Sequence, residues 1–175
     1  MPKLSLVFFL VSLSALNLRA SDYEITVLAT NTANFGGIGE WSFSALLESD
    51  NEKILFDTGF NENTVLHNAN LLGKDLSQVE KVILSHFHGD HTGGLIKLRK
   101  TFMEINPKAF STVYVAEGFF KQRYDQNGEL RGFIGGFNKV DNFLKETDKL
   151  GIKFIILEEP KEISKNLYLS GPVER

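Results

Sequence analysis

Cysteine is absent from this chain of 175 residues. A protein without cysteine has no disulfide framework and no thiolate nucleophile, so any metal must be bound by imidazole and carboxylate groups. A basic excess is absent as well, because 19 lysine and arginine residues stand against 22 acidic ones. We therefore expect no nucleic-acid partner, since the chain has no excess of positive charge to place against a phosphate backbone.

The chain also lacks a long apolar run, but a short one lies near its start. Lys3 precedes the apolar residues 4–16, and a polar stretch then ends at Ala20. This order is typical of a secretory signal peptide, and the run is too short to span a bilayer comfortably. A buried core helix is the alternative interpretation. We expect a signal peptide at residues 1–20.

Cleavage after this segment would release a secreted or periplasmic domain of residues 21–175. No cysteine follows the apolar run to carry a lipid anchor. We therefore expect no membrane attachment after cleavage.

Apolar periodicity in the remaining chain predicts an α/β protein. The predicted strands pair locally at first and then alternate with helices, which is typical of a mixed β-sheet with helices packed on it. The strands are predicted at residues 23–29, 41–47, 53–56, 82–85, 112–115, 152–157 and 167–169, and the helices at 62–72, from 95 to near 106, and around 138–150.

Two loops are candidates for a role near a binding pocket. The glycine-rich loop 34–40 is expected to border the substrate pocket, because loops beside a site often carry specificity. A second glycine-rich stretch, 125–136, is flanked by four phenylalanines. Core packing is the expected role of these rings, and a mobile apolar lid is the alternative. The four rings are Phe119, Phe120, Phe133 and Phe137.

Three of the four histidines lie within six residues, directly after the predicted strand 82–85. His86 and His88 should project from the same side, because side chains alternate along an extended chain. A bend at Gly89 would bring Asp90 and His91 round beside them. Imidazole and carboxylate ligands suit Zn²⁺, Mn²⁺ or Fe²⁺. The pattern predicts a site for one or two such ions, and the alternative is a polar turn whose imidazoles cap the following helix.

The segment HFHGDH resembles the His-x-His-x-Asp-His signature of the metallo-β-lactamase superfamily, and LFDTG resembles its second motif. The resemblance implies that His86 and His88 bind a first metal ion, and that Asp90 and His91 bind a second. It also implies that Asp90 is the catalytic base that accepts a proton from the attacking water. Asp57 would orient the metal-binding loop without ligating.

The segments GEWSFSALLE, HNANLLG and LYLSGPVER are similar to the subfamily of hydrolases related to dihydropterin-ribofuranosylaminobenzene phosphate synthase. The resemblance implies an αββα sandwich, of which this chain would form the first half only. The superfamily completes its metal sites with downstream ligands that include histidines, and no histidine follows His91. We therefore expect the domain to be truncated at its C-terminus. One sheet face would then be uncovered, which favours self-association.

The expected function is a metal-dependent hydrolase of a small-molecule substrate, with water activated on a dinuclear zinc-type centre. One alternative is a pterin-related metal-dependent transferase, that is, a synthase. The other is a non-catalytic short form that binds a metal or a partner. Since both predicted sites lack ligands, we expect weak zinc binding and negligible hydrolysis by the mature chain alone. The fourth histidine, His67, is expected to be structural or surface-exposed.

Overall fold

The computed structural model describes residues 24–49, 52–131 and 134–173. The predicted signal peptide of residues 1–20 lies outside the described residues. Within the described ranges, no helix is both long enough and apolar enough to cross a membrane.

Ten strands and four helices form the described part of the chain. The strands are β1 (Glu24–Ala29), β2 (Ser44–Glu48), β3 (Lys53–Phe56), β4 (Val79–Ile83), β5 (Thr112–Ala116), β6 (Arg123–Tyr124), β7 (Leu130–Arg131), β8 (Lys153–Leu157), β9 (Lys161–Ser164) and β10 (Leu167–Leu169). The helices are α1 (Thr64–Leu71), α2 (Gly89–Thr92), α3 (Leu95–Phe102) and α4 (Val140–Lys149).

Six strands form one mixed sheet in the order β1-β2-β3-β4-β5-β8. The pairs β1·β2 and β2·β3 are antiparallel, whereas β3·β4, β4·β5 and β5·β8 are parallel. The prediction of a mixed α/β sheet is therefore confirmed. Because β3 and β4 are parallel neighbours, their carboxyl ends lie at the same edge of the sheet. The loops that follow these two strands meet there and build the candidate site.

The helices and the segments around them bury one face of this sheet in the main hydrophobic core. Leu46, Leu55 and Val113 from the strands pack there with Leu98 and Phe143 from the helices. Three of the four phenylalanines flanking the second glycine-rich stretch belong to this core or pack against it: Phe119, Phe120 and Phe137. Core packing is thus confirmed for these three rings, and the lid alternative is wrong for them. Phe133 lies outside the described residues.

The opposite face of the sheet is partly covered by the hairpin of β9 and β10. Ile163 of β9 packs against Ile54, Ile83 and other side chains of the sheet in a second, smaller apolar cluster. Ile25 and Val27 lie on this same face at the β1 edge and remain 64% and 46% exposed. Self-association through the exposed part of this face stays a prediction.

Two of the differences from the predicted elements have a clear physical reason. β2 begins at Ser44 rather than at residue 41, since the Phe43 N–H donates to the carbonyl of Asp90 instead of to a neighbouring strand (3.4 Å). β9 was not predicted, because its sequence KEIS carries little apolar pattern and pairs only with β10. The first feature depends on a contact between distant parts of the chain, whereas the second is a local hairpin of mainly polar sequence.

Candidate metal centre

The loop after β4 holds the histidine cluster, and we call residues 85–91 the histidine loop. The chain is still extended at His88, with φ −65° and ψ 149°, and turns into α2 at Gly89. The Thr92 hydroxyl donates to the His88 carbonyl (3.0 Å), and the Gly93 N–H donates to the Gly89 carbonyl (2.8 Å). These bonds fix the turn that brings Asp90 and His91 back toward His86.

Three predicted ligands lie together at this turn. One ligand atom each from His86, Asp90 and His91 lies within 4.8 Å of the others. His91 Nε2 is 3.5 Å from Asp90 Oδ2, and the rings of His86 and His91 have centroids 4.1 Å apart. All three side chains are partly buried. They form the only such group in the part of the chain that the structure describes.

His88, the fourth predicted ligand, lies outside this group. It is exposed, and its ring meets that of His86 edge-on with centroids 4.7 Å apart. The structure therefore places His86 with Asp90 and His91, rather than in a separate pair with His88.

Asp57 lies beneath the histidine loop and is almost completely buried. Its Oδ1 accepts the Ser85 backbone N–H, and its Oδ2 accepts the Ser85 hydroxyl and contacts His91 Nδ1, each at 2.7 Å. Because a carboxylate is an acceptor, His91 Nδ1 must carry the proton in this contact. His91 Nε2 is then left unprotonated in the neutral ring, on the side of Asp90, as a metal ligand requires.

The pKa values of the two grouped imidazoles, His86 and His91, are shifted in opposite directions. Burial lowers the pKa of His86, and the nearby His91 and His88 lower it further. The hydrogen bond to Asp57 raises the pKa of His91 in spite of its burial. His86 therefore favours the neutral form that binds a metal, while His91 is held firmly by its carboxylate partner.

The loop after β3 packs directly against the histidine loop and α2. The N–H and hydroxyl of Thr58 both donate to the His91 carbonyl (2.8 and 3.1 Å), and the Gly93 N–H donates to the Gly59 carbonyl (2.9 Å). A Cβ atom on Gly93 would overlap the carbonyl of Phe60, and one on Gly94 would overlap the carbonyl of Thr58. The two glycines after His91-Thr92 are thus needed for this close approach.

Glu40 was not among the predicted site residues, yet its carboxylate holds the β3 loop in place. It accepts hydrogen bonds from the Ser42 hydroxyl (2.7 Å), the Phe60 N–H (2.7 Å), the Asn61 N–H (3.1 Å) and the Thr64 hydroxyl (2.8 Å). Burial by itself would raise the pKa of Glu40, but these bonds together lower it below its ordinary value. The only sign of this role in the sequence was a single acidic residue at the end of the glycine-rich loop 34–40, just before a strand.

The first glycine-rich loop packs on α1. Asn68 bonds both the N–H and the carbonyl of Ile38 (2.9 Å each), and His67 Nε2 lies 2.7 Å from the carbonyl oxygen of Gly36. His67 is exposed, so the prediction that it is structural or on the surface is confirmed.

Two clefts flank the histidine loop. The larger has a volume of about 630 Å³ and is lined by Trp41, Phe60, His88, Gly89 and Asp90. The other, of about 370 Å³, lies beside Ser85, His86 and Phe87, and Lys121 and Arg123 line it as well. None of residues 34–40 lines either cleft, so the loop does not border these clefts as expected. The next residue, Trp41, lines the larger one.

The chemistry of the grouped side chains fits a divalent metal ion. Two imidazoles and one carboxylate are a donor set that Zn²⁺, Mn²⁺ and Fe²⁺ accept. Three protein ligands with one open position are also typical of a catalytic zinc site. The contact from Asp57 to His91 is the kind of carboxylate support that metal-binding histidines usually have.

Comparison with known proteins agrees with this geometry. The chain is 32% identical over 164 residues to the 7,8-dihydropterin-6-methyl-4-(beta-D-ribofuranosyl)-aminobenzene-5'-phosphate synthase of Methanocaldococcus jannaschii, covering 89% of this chain and 52% of the synthase. It is 33% identical over 151 residues to an uncharacterized protein of the same organism, covering 86% of this chain and 54% of that protein. The chain thus spans about half the length of these curated relatives.

A solved structure and a family description point the same way. The fold is similar to the crystal structure of a metal-dependent hydrolase of the beta-lactamase superfamily, with a TM-score of 0.62 and 29% identity, covering 87% of this chain and 49% of that one. The family model of the metallo-beta-lactamase superfamily matches residues 42–163. The chain therefore belongs to the metallo-beta-lactamase superfamily.

Proposed function

We propose that this chain is the metal-binding part of a metal-dependent hydrolase that acts on a small molecule. The observation that carries the proposal is the group formed by His86, Asp90 and His91, with its ligand atoms within 4.8 Å of one another. A divalent ion bound there supplies Lewis acidity, which polarises a substrate oxygen and makes water acidic enough to lose a proton near neutral pH. The bond attacked is an ester, a phosphoester, an amide or a related bond.

The chain's own residues have separate roles in this proposal. His86 and His91 bind the ion through unprotonated ring nitrogens, and Asp57 keeps the single N–H proton of the His91 ring on Nδ1. Asp90, whose carboxylate lies beside His91 Nε2, accepts the proton of the attacking water as general base. His88 stands next to His86 and is available as a ligand of a second ion.

Zinc is the proposed metal, with manganese and iron(II) as the other candidates for this donor set. We also propose that the protein acts outside the cytoplasm, in the periplasm or after secretion. This part of the proposal rests on the basic residue, apolar run and small residue of the first 20 positions.

A synthase is the second candidate, and the relative named as a dihydropterin aminobenzene phosphate synthase favours it. It would join a pterin to an aminobenzene ribosyl phosphate. Product analysis separates the two activities, since only a synthase forms a new carbon–nitrogen bond from a pterin diphosphate donor. A hydrolase gives products of water addition alone.

A non-catalytic short form is the third candidate. It is favoured by the position of the exposed His88 outside the ligand group, since a dinuclear centre needs more ligands than this group provides. Such a protein would bind a metal or a partner without turnover.

Zinc titration of the purified chain tests the proposal. We expect about one zinc ion per chain, bound by the three grouped ligands. His86→Ala/His91→Ala should abolish this binding, and His67→Ala is the matched control because His67 lies outside the group. Equal zinc binding by all three proteins would overturn the proposed site.

Hydrolysis separates the first candidate from the third. A panel of nitrophenyl esters and phosphodiesters would be assayed before and after removal of the metal with a chelator. Turnover that disappears with the chelator and returns with zinc supports the hydrolase. Zinc binding without turnover on any of these substrates, the result expected of the mature chain alone, would favour the non-catalytic form for this chain.

A further inference from the structure

Two large aromatic side chains are exposed beside the proposed metal ligands. Trp41, the only tryptophan of the chain, is 79% exposed, and Phe60 is 56% exposed. Both line the larger cleft, together with His88, Gly89 and Asp90. We propose that Trp41 and Phe60 bind a planar aromatic ring of the small-molecule substrate. This inference rests on the proposed function and names the substrate class for the same site.

The backbone that carries the two rings is held in place. Trp41 directly follows Glu40, whose carboxylate accepts the backbone N–H of Phe60 at 2.7 Å. The same carboxylate accepts the Ser42 hydroxyl on the other side of Trp41. One partly buried carboxylate therefore positions the backbone of both aromatic residues. Rigid aromatic side chains bind a ligand with a small loss of conformational entropy, which is why they are common in binding sites.

The backbone next to Trp41 and Phe60 is also hydrogen-bonded to the histidine loop and α2. The Phe43 N–H donates to the Asp90 carbonyl (3.4 Å), and the Gly93 N–H donates to the Gly59 carbonyl (2.9 Å). A ring held by Trp41 and Phe60 is thus kept in a fixed position relative to Asp90. This arrangement would present a bond next to the ring to the proposed catalytic residues.

The lining of the cleft favours an aromatic ring. Three of its lining residues, Trp41, Phe60 and His88, carry rings, and these offer faces and edges for stacked or edge-on contacts. Asp90 is the one acidic side chain among the described residues that line this cleft. Its carboxylate can accept a hydrogen bond from a ring N–H.

The single tryptophan makes this proposal directly testable, because the ¹⁵N-labelled protein gives one indole N–H resonance. The metal-free protein would be titrated with benzamide and with cyclohexanecarboxamide, which differ only in the aromaticity of the ring. We expect benzamide to shift the indole resonance saturably and to bind at least about threefold more tightly than its saturated counterpart. Equal binding of the two amides would overturn the proposal.

Variants locate the binding to the two rings. Ligand-observed relaxation would measure benzamide affinity in Trp41→Ala, where we expect binding to be lost, and in Trp41→Phe, where it should be largely kept. Phe60→Leu should weaken binding about threefold. Phe35→Leu is the matched control, because Phe35 is fully exposed and outside the cleft, and it should leave the affinity unchanged. Unchanged affinity in Trp41→Ala would overturn the proposal.

Two further outcomes are distinguishable. Broadening of the indole resonance with protein concentration alone would show that a second copy of the chain covers the rings, and this would overturn the ring site. Benzamide binding that persists in His86→Ala/His91→Ala separates the two proposals. In that case, a failure of the wild-type chain to bind zinc would contradict the proposed metal site, and the proposed binding of an aromatic ring by Trp41 and Phe60 would be unaffected.

Discussion

Asp57 and His91 are joined by a contact of 2.7 Å between a carboxylate oxygen and Nδ1, at a position where the aspartate is almost fully buried. The same carboxylate accepts the N–H of Ser85. One side chain therefore fixes both the start and the end of the histidine loop.

Replacement of this aspartate should weaken metal binding without a change in side-chain size. In Asp57→Asn, the amide N–H₂ can donate to His91 Nδ1, which moves the ring proton to Nε2 and blocks the ligand atom. We expect zinc affinity to fall about 10- to 100-fold and the free energy of unfolding to fall by about 1–3 kcal/mol. Chelator competition and urea unfolding measure the two quantities. Asp75→Asn, in an exposed turn, is the control and should leave zinc affinity unchanged.

Because α2 lies so close to the loop after β3, adding a single methyl group there should lower both stability and zinc affinity. Gly93→Ala places a Cβ against the Phe60 carbonyl, and overpacking of this kind costs about 1–3 kcal/mol. Both unfolding free energy and zinc affinity should fall, because the shift moves His91. Gly73→Ala, whose Cβ would meet no atom within 4 Å, should lose only about 1 kcal/mol of stability from its left-handed backbone. A normal zinc affinity in Gly93→Ala would contradict the prediction.

Glu40 should make stability depend on pH in the acidic range. Its pKa in the folded protein lies below the ordinary value of 4.5, so the unfolded chain binds the proton more readily. The stabilisation is present above about pH 4.5 and is lost as the pH falls through the lower folded pKa. Urea unfolding of the wild type and of Glu40→Gln, measured from neutral to strongly acidic pH, gives the difference between the two curves. We expect this difference to shrink toward low pH, and parallel curves would contradict the assignment.

Arg99 should be important for stability and not for the site. It is 5% exposed, and its guanidinium donates to the carbonyls of Leu150 (2.9 Å), Pro107 (2.9 Å) and Ala109 (2.6 Å). Arg99→Met leaves these acceptors without their donor, and we expect a loss of at least about 2 kcal/mol in chemical unfolding. Lys100→Met, on the exposed side of α3, serves as control. A variant at Arg99 with wild-type stability would show that the carbonyls find other donors.

Local patterns predicted the sheet and the position of the site. The strands β3 and β5 are short apolar runs, β4 ends in one, and the histidine loop is a contiguous motif, so all of these could be predicted from neighbouring residues. The position of His88 outside the ligand group could not be predicted, because it depends on how closely the turn at Gly89 brings Asp90 and His91 back toward His86.

Contacts between distant residues account for the rest. Glu40 acts on residues 20 to 24 positions away, and Arg99 bonds a carbonyl 51 positions away. Nothing in the local sequence around either residue indicates its partner.

The three grouped ligands come from six consecutive residues, whereas the carboxylate that orients His91 lies 34 positions away. Closing so short a loop loses little chain entropy, so the three ligands are brought together by the local course of the chain. Their orientation depends instead on the pairing of β3 with β4, which places Asp57 beneath the loop. The ligand set is therefore a local property of the sequence, whereas its alignment is a property of the assembled sheet.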